Sequence, residues 1–394
     1  MSDALRLPAR PHLEHYKKLA KDLLRAARSG DPAELRDWIR RLEPDPANAA
    51  HFEKRWRQFQ DSKKGAPQLT HAQFFVAREH GFASWPKFAR HIEALQTPDT
   101  PVALFEAAAD AIASGDLKTL ERLLRVDPRL IRARSTRDHN STLLHYVSAN
   151  GIEDYRQKTP PNIVEITKYL LDRGADVNAE SEAYGGHSTT LELAATSVHP
   201  QRAGVQIALL RLLLDRGAKM DDGLISSCMA NGQPEAADFL VTNGAPVDLG
   251  AAAALGSLER VKDVLDKSPQ SPLQPALLYA AGYGRLEVVK FLLGKGADVA
   301  WTHRNGNSSL HWAAEWGHRA VVEVLLQHGA RVDVREKFQD ATPLDFALRG
   351  WERHRNPNLQ TTYAAIVDSL INAGAVVDDR YAPLLAELRQ QPPE

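Results

Sequence analysis

The sequence predicts an all-α protein in which a small helical region precedes a file of short helix pairs. Two observations carry this prediction. A phrase of two apolar residues followed within a few positions by Gly-Ala recurs six times between residues 170 and 375, and a phrase of small and apolar residues comes about half a repeat earlier. A period of about 20 to 50 residues is typical of solenoids, in which each helix pair buries its apolar face only against its neighbours.

The composition excludes several classes of protein. The 394 residues are 43% hydrophobic and 25% charged, which is typical of globular chains and not of disordered ones. The net charge is −1, so no overall positive field attracts nucleic acid or an anionic membrane. Cys228 is the single cysteine, which excludes an intramolecular disulfide and fits a reducing compartment. No apolar signal segment or membrane-length apolar run is present, so we expect a cytoplasmic protein.

The first 100 residues form the predicted N-terminal helical region, with 18 basic residues, 13 acidic residues and a net charge of +5. Asp31 followed by Pro32 is typical of a helix start, and Thr70 followed by Gln73 is a second such signal. The polar stretch 61–67 is expected to be the loosest segment. Helices are expected near residues 12–28, 32–41, 70–80 and 84–95.

Each Gly-Ala phrase is expected to end the second helix of a pair. A glycine just past an apolar run takes the left-handed conformation that caps the last carbonyl groups without a Cβ clash. These glycines are Gly174, Gly217, Gly244, Gly296, Gly329 and Gly374. Small residues in the first helix of each pair let the neighbouring helix approach closely. These first helices are expected around residues 142–146, 275–281, 309–314 and 342–347.

The first-helix phrases resemble the ankyrin repeat, whose signature T-P-L-H-x-A opens a helix pair that is followed by a β-turn finger. The match is closest over residues 273–336, and about eight repeats fit between residues 101 and 379, one of them degenerate. Residues 380–394 are expected to supply a capping helix and tail. The string 77–87 is similar to helical regions that precede ankyrin arrays in some bacterial proteins, which implies a bacterial origin.

Signatures of catalysis are absent from the sequence. No P-loop, H-E-x-x-H, G-x-S-x-G or G-x-G-x-x-G string occurs. His12 and His15 have the spacing of a metal-binding pair but no visible third ligand, so no metal or cofactor is expected. Cys228 is expected to be a small buried hydrophobic residue. The ankyrin resemblance implies that His145 and His311, at the histidine position of the signature, hydrogen-bond between neighbouring turns.

Two repeats carry long loops that the ankyrin pattern does not need, at residues 150–161, 181–188 and 197–204. Insertions map to one face of a solenoid, so these loops are expected to lie side by side. Their basic and aromatic side chains then form a patch suited to a carboxylate or phosphate, because Arg offers a planar fork and Lys a point charge. The alternative is that the loops are solvated decoration. The candidate residues are Tyr155, Arg156, Lys158, Tyr184, His187, His199 and Arg202.

Aromatic residues indicate a second candidate surface. Trp301 and His303 fall in a finger, and Trp312 and Trp316 lie four residues apart on one face of a first helix. The ankyrin resemblance implies that first helices line a concave face, where an exposed tryptophan is a typical anchor for a partner. Packing between repeats is the alternative for Trp312 and Trp316. The long loop expected in the last repeat adds Trp351.

The resulting functional prediction is recognition of a protein partner. An ankyrin array offers its fingers and concave helices as an extended binding surface, which implies a scaffold or recognition module and no reaction. The second hypothesis is a small-ligand or catalytic pocket, formed by the loops of residues 150–204, that takes a small anion. Nucleic-acid binding by the N-terminal region is a third hypothesis, disfavoured because its basic residues are interleaved with acidic ones.

Overall fold

The computed structural model describes residues 4–8, 10–42, 46–63, 65–354, 357–378 and 381–389. The chain divides into two compact units, Met1–Lys219 and Met220–Glu394, which are described in turn. Parts of three predicted segments lie outside the described residues. They are Lys64 of the polar stretch, Arg355 and Asn356 of the last long loop, and residues 380 and 390–394 of the cap and tail.

The first unit begins with five helices. They are α1 (Leu13–Ser29), α2 (Pro32–Leu42), α3 (Pro46–Ser62), α4 (Leu69–Glu79) and α5 (Trp85–Leu95). Four of them match the predicted helices, and α3 lies where no helix was predicted. Asp31 Oδ1 accepts a hydrogen bond from Ala33 N at 2.8 Å, as expected for the start of α2. Thr70 is not a cap, because α4 begins one residue earlier and Gln68 occupies the cap position.

Aromatic packing holds these helices together. Trp38, Phe52 and Trp56 are each at most 2% exposed. The Phe75 ring meets the rings of both Phe52 and Trp56 edge to face, with centroid separations of 5.0 Å. Such contacts stabilise a fold beyond the burial of apolar area alone. The unpredicted helix α3 therefore supplies two of the main side chains of this core.

Three helix pairs follow in the same unit. In order, the elements are α6 (Pro101–Ser114), α7 (Leu117–Val126), the 3₁₀ helices Pro128–Arg132, Leu143–Ser148 and Asp154–Arg156, α8 (Ile163–Asp172), β1 (Glu180–Ser181), the 3₁₀ turn Ala183–Gly185, β2 (Ser188–Thr189), α9 (Thr190–Ala195), α10 (Val198–Arg202) and α11 (Gln206–Asp215). The first helices pack in sequence, α6 against Leu143–Ser148 and Leu143–Ser148 against α9. Strands β1 and β2 pair antiparallel, with Glu180 opposite Thr189.

The turn after α4 is bonded to the first finger of the repeats. An Arg137 guanidinium nitrogen donates to the His80 carbonyl oxygen at 2.7 Å, and Arg137 Cζ lies 5.1 Å from the centre of the Phe82 ring. The backbone N–H of Asp138 donates to the Gly81 carbonyl oxygen at 2.9 Å. The N-terminal helices and the first repeats therefore pack as parts of one compact unit.

The second unit contains five more helix pairs and a final helix. They are α12 (Leu224–Ala230), α13 (Pro234–Thr242), α14 (Leu249–Leu255), α15 (Leu258–Lys267), α16 (Leu273–Gly282), α17 (Leu286–Gly294), α18 (Ser309–Glu315), α19 (Arg319–Gln327), α20 (Pro343–His354), α21 (Pro357–Asn372) and α22 (Ala382–Arg389). First helices α12, α14, α16, α18 and α20 stack in that order. The described residues of the two units thus contain eight helix pairs, and the predicted all-α repeat fold is confirmed.

Small residues and capping glycines set the spacing of these pairs. Ala280 and Ala313, on neighbouring first helices, are fully buried. Gly296 and Gly329 follow second helices with φ values of +89° and +85°, a left-handed conformation that strains any residue with a Cβ atom. The Gly-Ala phrases therefore end helices, as predicted.

The signature histidines serve the fold. His311 Nδ1 accepts from the Ser308 backbone N–H at 3.1 Å, and His311 Nε2 lies 3.2 Å from the Ala341 carbonyl oxygen of the next turn. His145 Nδ1 accepts from the Thr142 backbone N–H at 3.1 Å. Burial lowers the pKa of both imidazoles to about 4, so both are neutral at pH 7.

The structure also shows where the single cysteine lies and whether the described residues could bind a metal ion or span a membrane. Cys228 is fully buried in α12, as expected. Within the part of the chain that the structure describes, no three His, Cys, Asp or Glu side chains are grouped so that they could hold a metal ion. Each helix of that part is too short or too polar to cross a bilayer.

Candidate functional site

The first long loop places an arginine against helix α6. The 3₁₀ helix Asp154–Arg156 turns the Arg156 side chain toward α6, where its Nη1 donates to Glu106 Oε2 at 2.8 Å. Arg156 Nε donates to Asp110 Oδ1 at 2.8 Å, and Nη2 donates to the Glu106 carbonyl oxygen at 3.2 Å. Only 3% of Arg156 is exposed. All three nitrogens of its guanidinium group are therefore bonded within the protein.

A second buried arginine completes a set that we call the buried ion network, formed by Glu106, Arg137, Glu153 and Arg156. Arg137 Nε lies 2.6 Å from Glu153 Oε1, and Arg137 Nη2 lies 3.4 Å from Glu106 Oε2. Glu153 is fully buried and its Oε1 also lies 3.5 Å from Arg156 Nη1. Two guanidinium groups and two carboxylates thus balance each other inside the first unit.

The electrostatics of the network fix its charge state. Burial alone would raise the pKa of Glu106 and Glu153, but Arg137 and Arg156 outweigh burial and hold both pKa values below their ordinary range. Burial also disfavours the charged arginines, yet the two carboxylates raise their pKa values. All four groups are therefore charged at pH 7, and the buried ion network stabilises the interior of the first unit.

An open groove of about 1100 Å³ lies next to the buried ion network. We call it the N-terminal groove, and its charged and aromatic lining includes Arg6, Arg10, His12, Asp110, Tyr155 and Arg156. An adjoining groove of about 420 Å³ shares Arg6, Asp110, Tyr155 and Arg156 with it and adds Lys158. Arg6 Cζ lies 5.7 Å from the centre of the Tyr155 ring, a cation–π contact. Burial raises the pKa of Tyr155 to about 12, so its phenol is neutral.

A separate groove of about 490 Å³ is aromatic in character. We call it the aromatic groove, and its lining includes Arg55, Phe59, Phe74, Glu79, Asp138 and Tyr184. The Phe59 and Phe74 rings stack with centroids 5.4 Å apart. Arg55 pairs with Glu79 at 2.5 Å, and Arg78 pairs with Asp138. The arginines of this groove are thus already bound to carboxylates of the same unit.

Four described residues of the first unit other than glycine adopt a strained backbone conformation. Asn140, Ala149, Tyr184 and His187 adopt left-handed backbone conformations with φ between +49° and +63°. Outside glycine such conformations cost up to about 1–3 kcal/mol and persist where the surrounding structure holds them, often at functional sites. Tyr184 is 63% exposed, and its hydroxyl donates to Asn150 Oδ1 at 2.6 Å. Of these four residues, Tyr184 is the one that lines the aromatic groove.

The structure distributes the predicted patch of residues 150–204 over more than one place. Tyr155, Arg156 and Lys158 lie together, but they face the N-terminal segment around Arg6. Tyr184 lines the aromatic groove instead. Arg156 does not serve as a free cation, because the carboxylates of α6 occupy its guanidinium group.

The other three residues of the predicted patch lie outside the linings of these grooves. His187 is exposed, and its Nδ1 lies 2.6 Å from Glu180 Oε2, which raises the pKa of His187. His199 is half-buried in α10, where burial and then Arg202 lower its pKa. Arg202 is exposed at the last position of α10. The three loops therefore do not supply their cations to one shared cavity.

First helices of the second unit carry an aromatic surface. Trp312 on α18 meets Tyr279 on α16 edge to face, with ring centroids 6.0 Å apart. Trp316 directly follows α18, is 47% exposed, and has its ring 5.7 Å from the His354 ring. We call Tyr279, Trp312, Trp316 and His354 the aromatic ridge. Trp312 is half-buried by neighbouring helices, and Trp316 presents nearly half of its surface to solvent.

The remaining predicted aromatic residues differ in exposure. Trp301 and His303 lie in the finger before α18, both half-buried, with ring centroids 6.4 Å apart. Trp351 is 4% exposed and belongs to a hydrophobic core that includes Tyr363. The prediction that Trp351 meets a partner is corrected, because α20 continues to His354 and turns this ring inward.

Sequence reasoning missed the acidic half of the buried ion network and the role of Arg6. Glu106 and Asp110 are the two carboxylates of the otherwise apolar stretch 102–113, and a carboxylate such as Glu106 that is buried among apolar residues signals a cationic partner. Glu153 follows the buried Ile152 and carries a weaker signal of the same kind. No comparable pattern distinguishes Arg6, whose position depends on how the N-terminal segment packs.

Comparison with known proteins addresses the repeats of the second unit. A family model described as ankyrin repeats, in three copies, matches residues 224–336. Residues 224–336 are ankyrin repeats. The helix pairs from α12 to α19 thus belong to the family that the first-helix phrases resemble, and the prediction of ankyrin repeats is confirmed. The bacterial origin stays a prediction.

Three curated relatives match parts of the chain. The Caenorhabditis elegans protein "Ankyrin repeat and KH domain-containing protein mask-1" is 30% identical over 203 residues, which are 48% of this chain and 7% of that protein. Human "Ankyrin repeat and SOCS box protein 16" is 28% identical over 239 residues, 53% of this chain and 50% of that protein. The Drosophila melanogaster "E3 ubiquitin-protein ligase Ufd4" is 41% identical over 96 residues, 24% of this chain and 3% of that protein. The chain therefore spans at most half the length of these relatives.

The ankyrin repeats give the aromatic ridge a functional setting. Ankyrin repeats generally mediate protein–protein interaction, and solenoids of this kind use their extended concave surfaces for binding. Helices α16 and α18, which carry Tyr279 and Trp312, are first helices within the matched segment. Two of the four ridge residues therefore lie on first helices of the matched ankyrin repeats.

Proposed function

We propose that the protein is a scaffold or recognition module that binds a protein partner through the ankyrin repeats of its second unit. The observation that carries the proposal is the exposure of Trp316, 47%, at the end of a first helix beside Trp312. Aromatic residues are enriched at protein interfaces, where they fill pockets of the partner at low entropic cost. The half-buried Trp312 and Tyr279 hold the surface next to Trp316 rigid.

The charges around the ridge indicate the chemistry of the partner. The Arg349 guanidinium lies over the Phe346 ring, with Cζ 5.3 Å from the ring centre. Arg353 is 53% exposed and pairs with Glu315 at 2.8 Å. A partner segment that fits this surface carries an apolar side chain for Trp316 and an acidic group for Arg349. The proposed surface also includes Trp301 and His303, which lie half-buried in the finger before α18. The single cysteine, Cys228, is buried, and a cytoplasmic setting is part of the proposal.

A capture experiment with variants of the full-length chain tests this function. Immobilised wild-type protein, Trp316→Ala and Val126→Ala are exposed to lysate of the source cells, and retained proteins are quantified by mass spectrometry. Val126 is the matched control, an apolar residue of the first unit that is 59% exposed. We expect a partner whose affinity falls at least about tenfold with Trp316→Ala and not with Val126→Ala. Equal retention by all three forms, or no retained partner, would contradict the proposal.

A further inference from the structure

The N-terminal groove and its smaller neighbour are lined in part by exposed basic side chains of the first unit. Arg6, Arg10 and Lys158 are exposed residues that line the groove or its smaller neighbour. Among the described residues, none of the three has an ion-pair partner. Arg6 and Arg10 line the cavity of about 1100 Å³, and Arg6 and Lys158 line the neighbouring cavity of about 420 Å³.

The acidic residues of the two grooves are already bound. Glu106 and Asp110 pair with Arg156 at 2.8 Å each. Asp116 caps α7 by accepting from the Thr119 backbone N–H at 3.0 Å. Among the described lining residues, each of these carboxylates has a partner within the protein, and none lies within ion-pair distance of Arg6, Arg10 or Lys158.

The Tyr155 side chain, which lines both grooves, is held in place by arginines of the buried ion network. Arg137 is 3% exposed and donates from Nη2 to the Tyr155 hydroxyl oxygen at 3.2 Å. Tyr155 lies between Arg6 and Arg156, whose Cζ atoms are 5.7 Å and 5.3 Å from its ring centre. Because the buried ion network holds Tyr155 in place, a ligand need not immobilise this side chain on binding, which lowers the entropic cost of binding.

We propose that the N-terminal groove and its smaller neighbour together bind a small polyanion, a molecule with at least two carboxylate or phosphate groups, through Arg6, Arg10 and Lys158. Arginine forks bind such groups in a bidentate manner and lysine adds a mobile point charge. The volume accommodates a ligand larger than a single phosphate ion. This site is on the first unit and stands independently of partner binding by the ankyrin repeats of the second unit.

Calorimetric titration of the full-length protein tests the site. Sodium pyrophosphate and trisodium citrate are the probes, each titrated at constant ionic strength, and the tighter binder tells whether the site prefers phosphate or carboxylate. We expect saturable binding of at least one probe and a loss of at least about tenfold in affinity in the double variant Arg6→Ala, Lys158→Ala. Both residues are exposed, so the variant should keep the wild-type circular dichroism spectrum.

Two further variants separate a built site from general charge attraction. Arg132→Ala removes an exposed arginine of the same unit that lines neither groove, and it should bind the probe like the wild type. Lys158→Arg keeps the charge and should retain binding within about threefold. The proposal is overturned if the wild type gives no saturable heat with either probe, or if Arg132→Ala weakens binding as much as the double variant does.

Discussion

Arg156 Nη1 and Glu106 Oε2 lie 2.8 Å apart in the interior of the first unit. Arg156 is 3% and Glu106 8% exposed, so both charges are largely removed from water and are stabilised by partners within the protein. The pair ties the long loop after the first helix Leu143–Ser148 to helix α6 of the preceding repeat. This part of the loop is therefore a structural element of the first unit.

Removal of one carboxylate from the buried ion network should destabilise the protein strongly. Glu153→Gln leaves Arg137 buried without the carboxylate that lies 2.6 Å from its Nε. Arg137 then keeps only its longer contact with Glu106, at 3.4 Å. Removal of one partner of a buried ion pair costs about 3–5 kcal/mol, and we expect a loss toward the lower end of this range in the free energy of unfolding from urea denaturation. Asp37→Asn breaks an exposed pair with Arg40 and should leave the midpoint unchanged. Equal midpoints for Glu153→Gln and wild type would show that the network does not stabilise the fold.

Buried imidazoles should make the protein acid-sensitive. Burial lowers the pKa of His80, His91, His145 and His311 from 6.5 to about 4. Between pH 6.5 and 4 the unfolded chain binds more protons than the folded one, so stability falls as the pH is lowered through this window. Each histidine contributes a loss of up to about 3 kcal/mol. The carboxyl groups of the buried ion network, with lowered pKa values, add their loss only below about pH 4.5.

One histidine variant checks this pH dependence. Urea midpoints of His311→Gln, measured from pH 7 to pH 4, should fall less steeply than those of the wild type, because the variant has one imidazole fewer to protonate on unfolding. His328→Gln, which changes an exposed ring at the end of α19, should follow the wild-type curve. Parallel curves for His311→Gln and wild type would refute this origin of the acid sensitivity.

Helices α18 and α20 approach each other too closely for a side chain at Gly350. A Cβ atom at this position would collide with the Glu315 carbonyl oxygen and lie 2.9 Å from the Tyr363 hydroxyl. Gly350→Ala should therefore lower the free energy of unfolding by about 1–3 kcal/mol, the usual cost of overpacking. Gly294→Ala, at the last position of α17, meets nothing within 4 Å and should be neutral or slightly stabilising. Thermal unfolding of both variants gives the comparison, and equal melting temperatures would count against the close contact.

Local sequence signals predicted the repeats, whereas long-range contacts determine which candidate site residues are paired or buried. The Gly-Ala phrases and the histidines of the signature act within one turn or between adjacent turns, so sequence spacing alone reveals them. Arg156 looks like a free cation in the sequence because its partners Glu106 and Asp110 lie on a distant helix. Trp351 looks like a loop residue because the continuation of α20 depends on tertiary packing. Charge and aromatic content indicate candidate residues, and only the packing tells which of them are free to bind.

The last prediction separates the two tryptophans that the sequence treats alike. Trp351→Ala empties a core position that is 4% exposed and should cost about 3–5 kcal/mol of unfolding free energy. Trp316→Ala changes a ring that is 47% exposed and should alter stability by less than about 1 kcal/mol while weakening partner binding. Urea denaturation of both variants beside the wild type measures the difference. If Trp316→Ala were as destabilising as Trp351→Ala, the Trp316 ring would be part of the core, and its loss of binding would report unfolding instead of a lost contact.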